Sequence, residues 1–174
     1  NRPISNLAEL KGLKMRVPEL KVWVDFWKAL GANPTPLPYA EQYNALSTGI
    51  IDGLEADFFS IDGFKWYEKA KYLTLSYHWF LPKAIRVNAK WLDSLPADLQ
   101  KLVRETAKEV FAEQRRISRA KTANALEILK GHGVKVLKAT DTEEWKKSTA
   151  RLYEEYVKKN PDAGPMIKKF NDLR

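Results

Sequence analysis

The stretch Leu13-Lys14-Met15-Arg16-Val17 decides the fold, because it is a short strand-like run that stops at Pro18 and precedes a helical pattern. Arg16 lies near the carboxyl end of this predicted strand. Its guanidinium cannot lose its charge, so an anionic ligand is a natural partner where an open α/β layer presents it at the carboxyl edge of a strand. The alternative is an edge-strand arginine that lies in water or pairs with Glu19.

Three strands alternate with two helices in the first part of the chain. Apolar residues at helical spacing predict a helix that ends at Gly31, followed by a short extended piece at 33–39. A second helix is predicted at 40–48 with Gly49 as its cap, and a third strand at 50–55. Ligands of such layers lie outside the carboxyl ends of the strands. We therefore expect Arg16, Tyr39 and the residues after Glu55 to face one cleft.

Six runs of sequence, which together span nearly the whole chain, share one pattern. They are Lys11-Gly12-Leu13-Lys14-Met15-Arg16-Val17-Pro18, Gly31-Ala32-Asn33-Pro34-Thr35-Pro36, Tyr43-Asn44-Ala45-Leu46-Ser47-Thr48-Gly49, Ile51-Asp52-Gly53-Leu54-Glu55, Lys65-Trp66-Tyr67-Glu68-Lys69-Ala70-Lys71-Tyr72-Leu73 and Trp91-Leu92-Asp93-Ser94-Leu95-Pro96-Ala97-Asp98-Leu99-Gln100. In this order they resemble the DctP-type solute-binding proteins of tripartite ATP-independent periplasmic (TRAP) transporters. The resemblance implies a periplasmic binding protein for a small organic or sugar acid, with TRAP membrane subunits as partners, no cofactor and no enzymatic activity.

The resemblance also implies the ligand-binding residues. Arg16 matches the arginine that binds the ligand carboxylate, and Tyr39 matches an aromatic residue that packs on the ligand. The loop Glu55-Ala56-Asp57-Phe58-Phe59 matches the loop that completes the pocket. Many family members have Asn-Pro after the glutamate, where this chain has Ala56-Asp57. The missing amide argues against a sialic-acid-like specificity, and Phe58 or Phe59 would give the pocket a more apolar wall.

The expected fold class is α/β, with a periplasmic-binding-protein-like lobe of strand-helix-strand-helix-strand order and a long scaffold helix that spans lobes. The expected divisions are a ligand-binding lobe at 1–80, a crossover strand and hinge at 81–96, the scaffold helix at 97–131, and a C-terminal strand and helices that return to the lobe at 132–174. Because the family is longer than 174 residues, we expect the N-terminal lobe and the signal peptide to be missing from this sequence. An isolated chain is then expected to associate with itself.

The remaining elements follow from periodicity and caps. A helix is predicted at 59–72, strands at 84–88 and 134–137, and helices at 96–130, 142–159 and 165–172. The helix at 96–130 would be about 50 Å long at ~1.5 Å per residue, which is longer than a small domain is wide. Three aromatic residues on the helix at 142–159, Trp145, Tyr153 and Tyr156, are predicted to pack in a core.

Composition excludes several other classes of protein. The net charge of +8 results from 30 basic and 22 acidic residues, but the basic residues alternate with acids along the helices, as on solvated helix faces, so specific nucleic-acid binding is not expected. The chain has no cysteine, which excludes disulfides and cysteine zinc sites. No apolar run approaches the roughly 20 residues that a membrane span requires.

An enzyme acting on a carboxylic acid is the alternative. Asp52, Glu55 and Asp57 could form an acidic group near Arg16 for acid-base chemistry or for a hard cation. The sequence has no Ser-His-Asp order, no phosphate-binding glycine loop and no His-Glu metal spacing, so we expect neither a catalytic residue nor a metal ligand. His78 is expected to form structural hydrogen bonds rather than to bind a metal.

Overall fold

A computed structural model of the chain describes residues 2–79 and 84–172, apart from the side chains at positions 123 and 171. Helices and parallel strands alternate, which confirms the predicted α/β class. The strands are β1 (Lys14–Val17), β2 (Asn33–Pro36), β3 (Gly53–Leu54), β4 (Tyr72–Leu75) and β5 (Lys135–Lys138). The helices are α1 (Leu7–Leu10), α2 (Lys21–Ala29), α3 (Gln42–Thr48), α4 (Phe58–Gly63), α5 (Ala89–Asp93), α6 (Ala97–Gly131), α7 (Thr142–Lys159) and α8 (Ala163–Asp172).

The first sheet has the order β2-β1-β3, so β1 lies in the middle and pairs in parallel with both neighbours. In this register Arg16 lies opposite Thr35 on β2 and Leu54 on β3. The helices α2 and α3 provide the crossovers between parallel strands. Gly49 ends α3 with φ of 73°, a left-handed conformation that glycine adopts without steric cost and that confirms the predicted cap.

Two buried apolar clusters support this layer. The first joins β1 and α2 to Trp145 of α7. The second joins α3 and α4 to Leu129 near the end of α6. Trp145 is therefore a core residue as predicted. The same prediction was wrong for Tyr153 and Tyr156, because both are more than half exposed.

The helix α6 has 35 residues, and the sequence predicted both of its ends within one or two positions. Ala125 and Leu129 near its C-terminus are buried, whereas most of its exposed apolar side chains precede them. These are Leu99, Leu102, Val110 and Ile117. Within the described ranges, no helix combines the length and the apolar character that a membrane span requires.

Two local predictions were wrong. The helix predicted at 59–72 ends at Gly63, because Lys65 adopts a left-handed conformation with φ of 54°, and a short 3₁₀ turn (Trp66–Glu68) and β4 follow. Residues 84–88 form no strand although their side chains alternate. A strand needs a neighbour for its backbone hydrogen bonds, and residues 84–88 have none in the described chain. The predicted hinge at 81–96 includes residues 81–83, which lie outside the described residues.

β4 pairs in parallel with β5, from Tyr72 opposite Lys135 to Leu75 opposite Lys138. This second sheet joins the segment after α6 to the first part of the chain. The helix α7 also packs against α2, so the C-terminal elements lie beside the three-stranded sheet.

Candidate functional site

Arg16 is the centre of the candidate site. It lies at the carboxyl end of the middle strand and is only 5% exposed. Its Nε and one Nη atom both donate to the backbone carbonyl of Leu37, at 2.9 and 2.7 Å. That carbonyl follows directly after β2, so the neighbouring strand fixes the direction of the guanidinium.

A guanidinium has five N–H groups in a planar fork, and the Leu37 carbonyl occupies only one edge of it. No carboxylate of the described residues lies within 4.0 Å of Arg16, so the alternative of an ion pair with Glu19 has no support. Burial lowers the pKa of Arg16, and the nearby Glu55, Tyr39 and Glu19 oppose that effect. The side chain stays charged at neutral pH, so an anion would compensate for its lost hydration.

Tyr39 lies beside Arg16, with its ring centroid 5.5 Å from the guanidinium carbon. The ring is 43% exposed and contacts two further aromatic rings edge-on. Gln42 donates from Nε2 to the Tyr39 carbonyl at 3.2 Å and is fully buried. Its Oε1 has no hydrogen-bond partner among the described residues. The structure thus brings together Arg16 and Tyr39, as predicted from the sequence.

Glu55 follows β3 at the same edge of the sheet. Its Oε2 accepts hydrogen bonds from the indole nitrogens of Trp27 and Trp79, at 3.1 and 2.8 Å. His78 Nε2 lies 2.7 Å from the same oxygen, and because a carboxylate only accepts, the ring donates there. His78 Nδ1 lies 2.7 Å from Ser76 Oγ. His78 is therefore a structural hydrogen-bonding residue, as predicted.

The other members of the predicted acidic group have separate partners. Asp52 accepts from the backbone N–H of Lys14 at 2.9 Å, which joins β1 to the turn before β3. Asp57 is the N-cap of α4 and accepts from both the backbone N–H and the hydroxyl of Ser60. Among the described residues, no group of three or more acidic or histidine side chains has the arrangement of a metal site. The geometry therefore gives no support to paired carboxylates for acid-base chemistry.

The rest of the predicted loop faces more than one direction. Ala56 and Phe58 pack against the second apolar cluster. Phe59 lines a shallow groove along α6 together with Val110 and Ile117. Their role as a wall of the ligand pocket stays a prediction.

Sequence reasoning missed four residues that shape this site. Trp27 and Trp79 bind Glu55 from sequence separations of 28 and 24 residues, and Gln42 fixes the carbonyl of Tyr39. The fourth residue, Phe64, contacts the Tyr39 ring. No local pattern identifies the partners of Glu55, because the two tryptophans whose N–H groups it satisfies are distant in sequence.

Comparison with known proteins finds one matching family and several similar proteins. Residues 1–160 match the family described as bacterial extracellular solute-binding protein, family 7 (DctP). The chain is 31% identical over 162 residues to the C4-dicarboxylate-binding periplasmic protein DctP of Vibrio cholerae, a match that covers 91% of this chain and 48% of that protein. It is 27% identical over 173 residues to the 2,3-diketo-L-gulonate-binding periplasmic protein YiaO of Escherichia coli, with 99% and 53% covered.

A solved structure agrees with these sequence relatives. The chain superimposes with a TM-score of 0.92 and 30% identity on a TRAP periplasmic solute-binding protein of Roseobacter denitrificans with bound β-D-glucuronate. That match covers 96% of this chain and 55% of the other. The chain spans about half the length of the curated relatives that it matches.

Proposed function

Because the chain belongs to the bacterial extracellular solute-binding protein family 7, we propose that it supplies one lobe of a periplasmic receptor that captures a small sugar acid or another organic acid for a TRAP transporter. The family membership confirms the resemblance predicted from the six runs of sequence. It also confirms that the chain is not an enzyme, because the family and its solved members are solute-binding proteins. The enzymatic alternative built on Asp52, Glu55 and Asp57 has no support.

The observation that carries the proposal is the buried guanidinium of Arg16. Leu37 orients it from one edge, and its remaining N–H groups have no carboxylate partner within 4.0 Å in the described part of the chain. A ligand carboxylate would accept two parallel hydrogen bonds from the fork. Charge-assisted pairs of this kind are stronger than neutral hydrogen bonds, so Arg16 would dominate the affinity.

Tyr39 and the loop from Glu55 would form the surroundings of the bound acid. The exposed part of the Tyr39 ring would pack on the ligand beside the carboxylate. Glu55 lies close enough to Arg16 to affect its pKa, and it would either stabilise the guanidinium or accept from a ligand hydroxyl. Ala56, Asp57, Phe58 and Phe59 would contribute the remainder of this side of the pocket.

The rest of the receptor would be a second lobe. Relatives are about twice as long as this chain, so we propose that their additional N-terminal segment corresponds to the opposite wall of the cleft. Residues 1–80 and 132–174 would then form one lobe, residues 81–96 the hinge and residues 97–131 the scaffold helix. Closure of the two lobes would bury the ligand before delivery to the membrane subunits. Relatives are named periplasmic proteins, which supports the same location here.

A thermal-shift screen of the full-length protein tests this function. Dicarboxylates, 2-oxo acids, aromatic acids and uronates are added separately, because a ligand that binds only the folded state stabilises it by about 2.7 kcal/mol at 100 times its Kd. We expect at least one uronate or related acid to raise Tm. The Arg16→Ala variant is the control and should lose that shift. A screen in which no acid raised Tm would contradict the proposal.

A further inference from the structure

Phe64 is an aromatic residue that no sequence pattern assigned to the site. It follows directly after α4 and is 51% exposed. Its ring stacks on Trp66 with centroids 5.2 Å apart and an angle of 16° between the planes. Trp66 is 1% exposed and belongs to the second apolar cluster, so Phe64 rests on a rigid part of the core.

The Tyr39 ring meets both of these rings edge-on. The Tyr39 and Phe64 centroids are 5.3 Å apart at 81°, and those of Tyr39 and Trp66 are 5.2 Å apart at 64°. Edge-to-face contacts at these distances are the favoured geometry of aromatic pairs. The centroid of the Tyr39 ring also lies 5.5 Å from the carbon of the Arg16 guanidinium. The order of contacts is therefore Arg16, Tyr39, then Phe64 and Trp66.

The backbone after Phe64 has an unusual conformation. Lys65 adopts a left-handed conformation with φ of 54°, which costs a residue with a Cβ about 1–2 kcal/mol. This turn directs Trp66 into the core while Phe64 stays at the surface. Backbone strain of this kind persists only where surrounding contacts determine it, and it is frequent at ligand sites.

We propose that Phe64 is a positioning residue for the carboxylate site: it fixes the plane of the Tyr39 ring, and through Tyr39 it sets the shape of the surface beside Arg16. The inference rests on the proposed function of Arg16. Without Phe64, Tyr39 would keep one edge contact, with Trp66, and its half-exposed ring would gain rotational freedom. A ligand would then have to order that ring on binding, which weakens affinity.

Calorimetric titration of the full-length protein tests the inference, with D-glucuronate as the ligand or, if another acid raises Tm more in the thermal-shift screen, with that acid. Phe64→Ala should weaken binding by roughly 2- to 10-fold, the range that one aromatic pair contributes. Phe64→Tyr should keep the wild-type affinity, since it retains the ring that contacts Tyr39 and Trp66 at a half-exposed position. The matched control is Phe170→Ala, because Phe170 is similarly exposed at 56% but lies on α8. The Phe170→Ala variant should bind the acid with the same affinity as the wild type.

A double-mutant cycle distinguishes positioning from direct contact or simple destabilisation. In a Tyr39→Leu background, Phe64→Ala should change the Kd by less than about 2-fold, because coupled residues lose their effect when the partner is absent. The inference would be overturned if Phe64→Ala weakened binding as much in the Tyr39→Leu background as in the wild type. It would also be overturned if Phe64→Ala left the Kd unchanged in the protein that retains Tyr39.

Arg16→Ala is titrated in the same way, so that failure of the proposed carboxylate site can be distinguished from failure of the proposed role of Phe64. If Arg16→Ala loses affinity while Phe64→Ala does not, only the role of Phe64 is wrong. If no acid of the thermal-shift screen binds the wild-type protein, or if Arg16→Ala binds the titrated acid as tightly as the wild type, the proposed carboxylate site is wrong and the role of Phe64 fails with it.

Discussion

Replacing Arg16 by lysine keeps the positive charge but removes the planar fork. The ammonium group cannot donate to the Leu37 carbonyl and to a bidentate carboxylate in the geometry that the guanidinium provides. Loss of one partner of a buried, hydrogen-bonded charge pair costs about 2–5 kcal/mol of binding free energy. At ~1.4 kcal/mol per factor of ten, we expect Kd to rise roughly 30- to 4000-fold for Arg16→Lys and Arg16→Ala.

The same substitutions affect folding less. Arg16→Ala leaves the Leu37 carbonyl without its two N–H donors, a loss worth about 1–3 kcal/mol of unfolding free energy. Removal of a charge that is costly to bury offsets part of this loss. We therefore expect both variants to remain folded, with unfolding still cooperative in urea.

Isothermal titration calorimetry of the full-length protein with D-glucuronate is the measurement. The control is Arg151→Ala on α7, because the Arg151 side chain is 84% exposed and its pair with Glu155 lies at the surface, where such pairs contribute little. Folded Arg16→Lys and Arg16→Ala proteins that kept the wild-type Kd would refute the assignment of Arg16 as the carboxylate-binding residue.

Other predictions concern the loop after β3 and the chain as a whole. Ala56→Asn should shift the preference toward polyhydroxylated acids by adding an amide, and an unchanged ranking of a panel of acids would place Ala56 outside the pocket. Glu55→Gln should lower the unfolding free energy by about 1.5–3 kcal/mol in urea titrations, because Glu55 Oε2 accepts from three ring N–H groups; Asp57→Asn is the control, since asparagine caps a helix as well as aspartate. The isolated chain should bind acids weakly and self-associate through the exposed apolar side chains of α6. Light scattering that showed a monomer, together with a Kd for an organic acid of about micromolar or tighter, would contradict this prediction.

Local sequence determined most of the helices and the position of the key charge. The bounds of α7 were predicted to the residue, and the end of α3 followed from Gly49. Arg16 was placed at the end of a strand from five residues alone. These features depend on periodicity, caps and backbone preferences, which act over a few residues and are therefore visible in the sequence.

Tertiary structure decided the strand order, the burial and the partners of the site residues. The order β2-β1-β3 places Arg16 in the middle of the sheet and the Leu37 carbonyl next to it, and no short-range pattern specifies that order. The sequence allowed Glu55 to join an acidic group, whereas the fold surrounds one of its oxygens with Trp27, His78 and Trp79. Residues 84–88 alternate like a strand but form none, because a strand exists only where another segment supplies hydrogen-bond partners. Such contacts join residues far apart in the chain, so they are determined only when the whole chain packs.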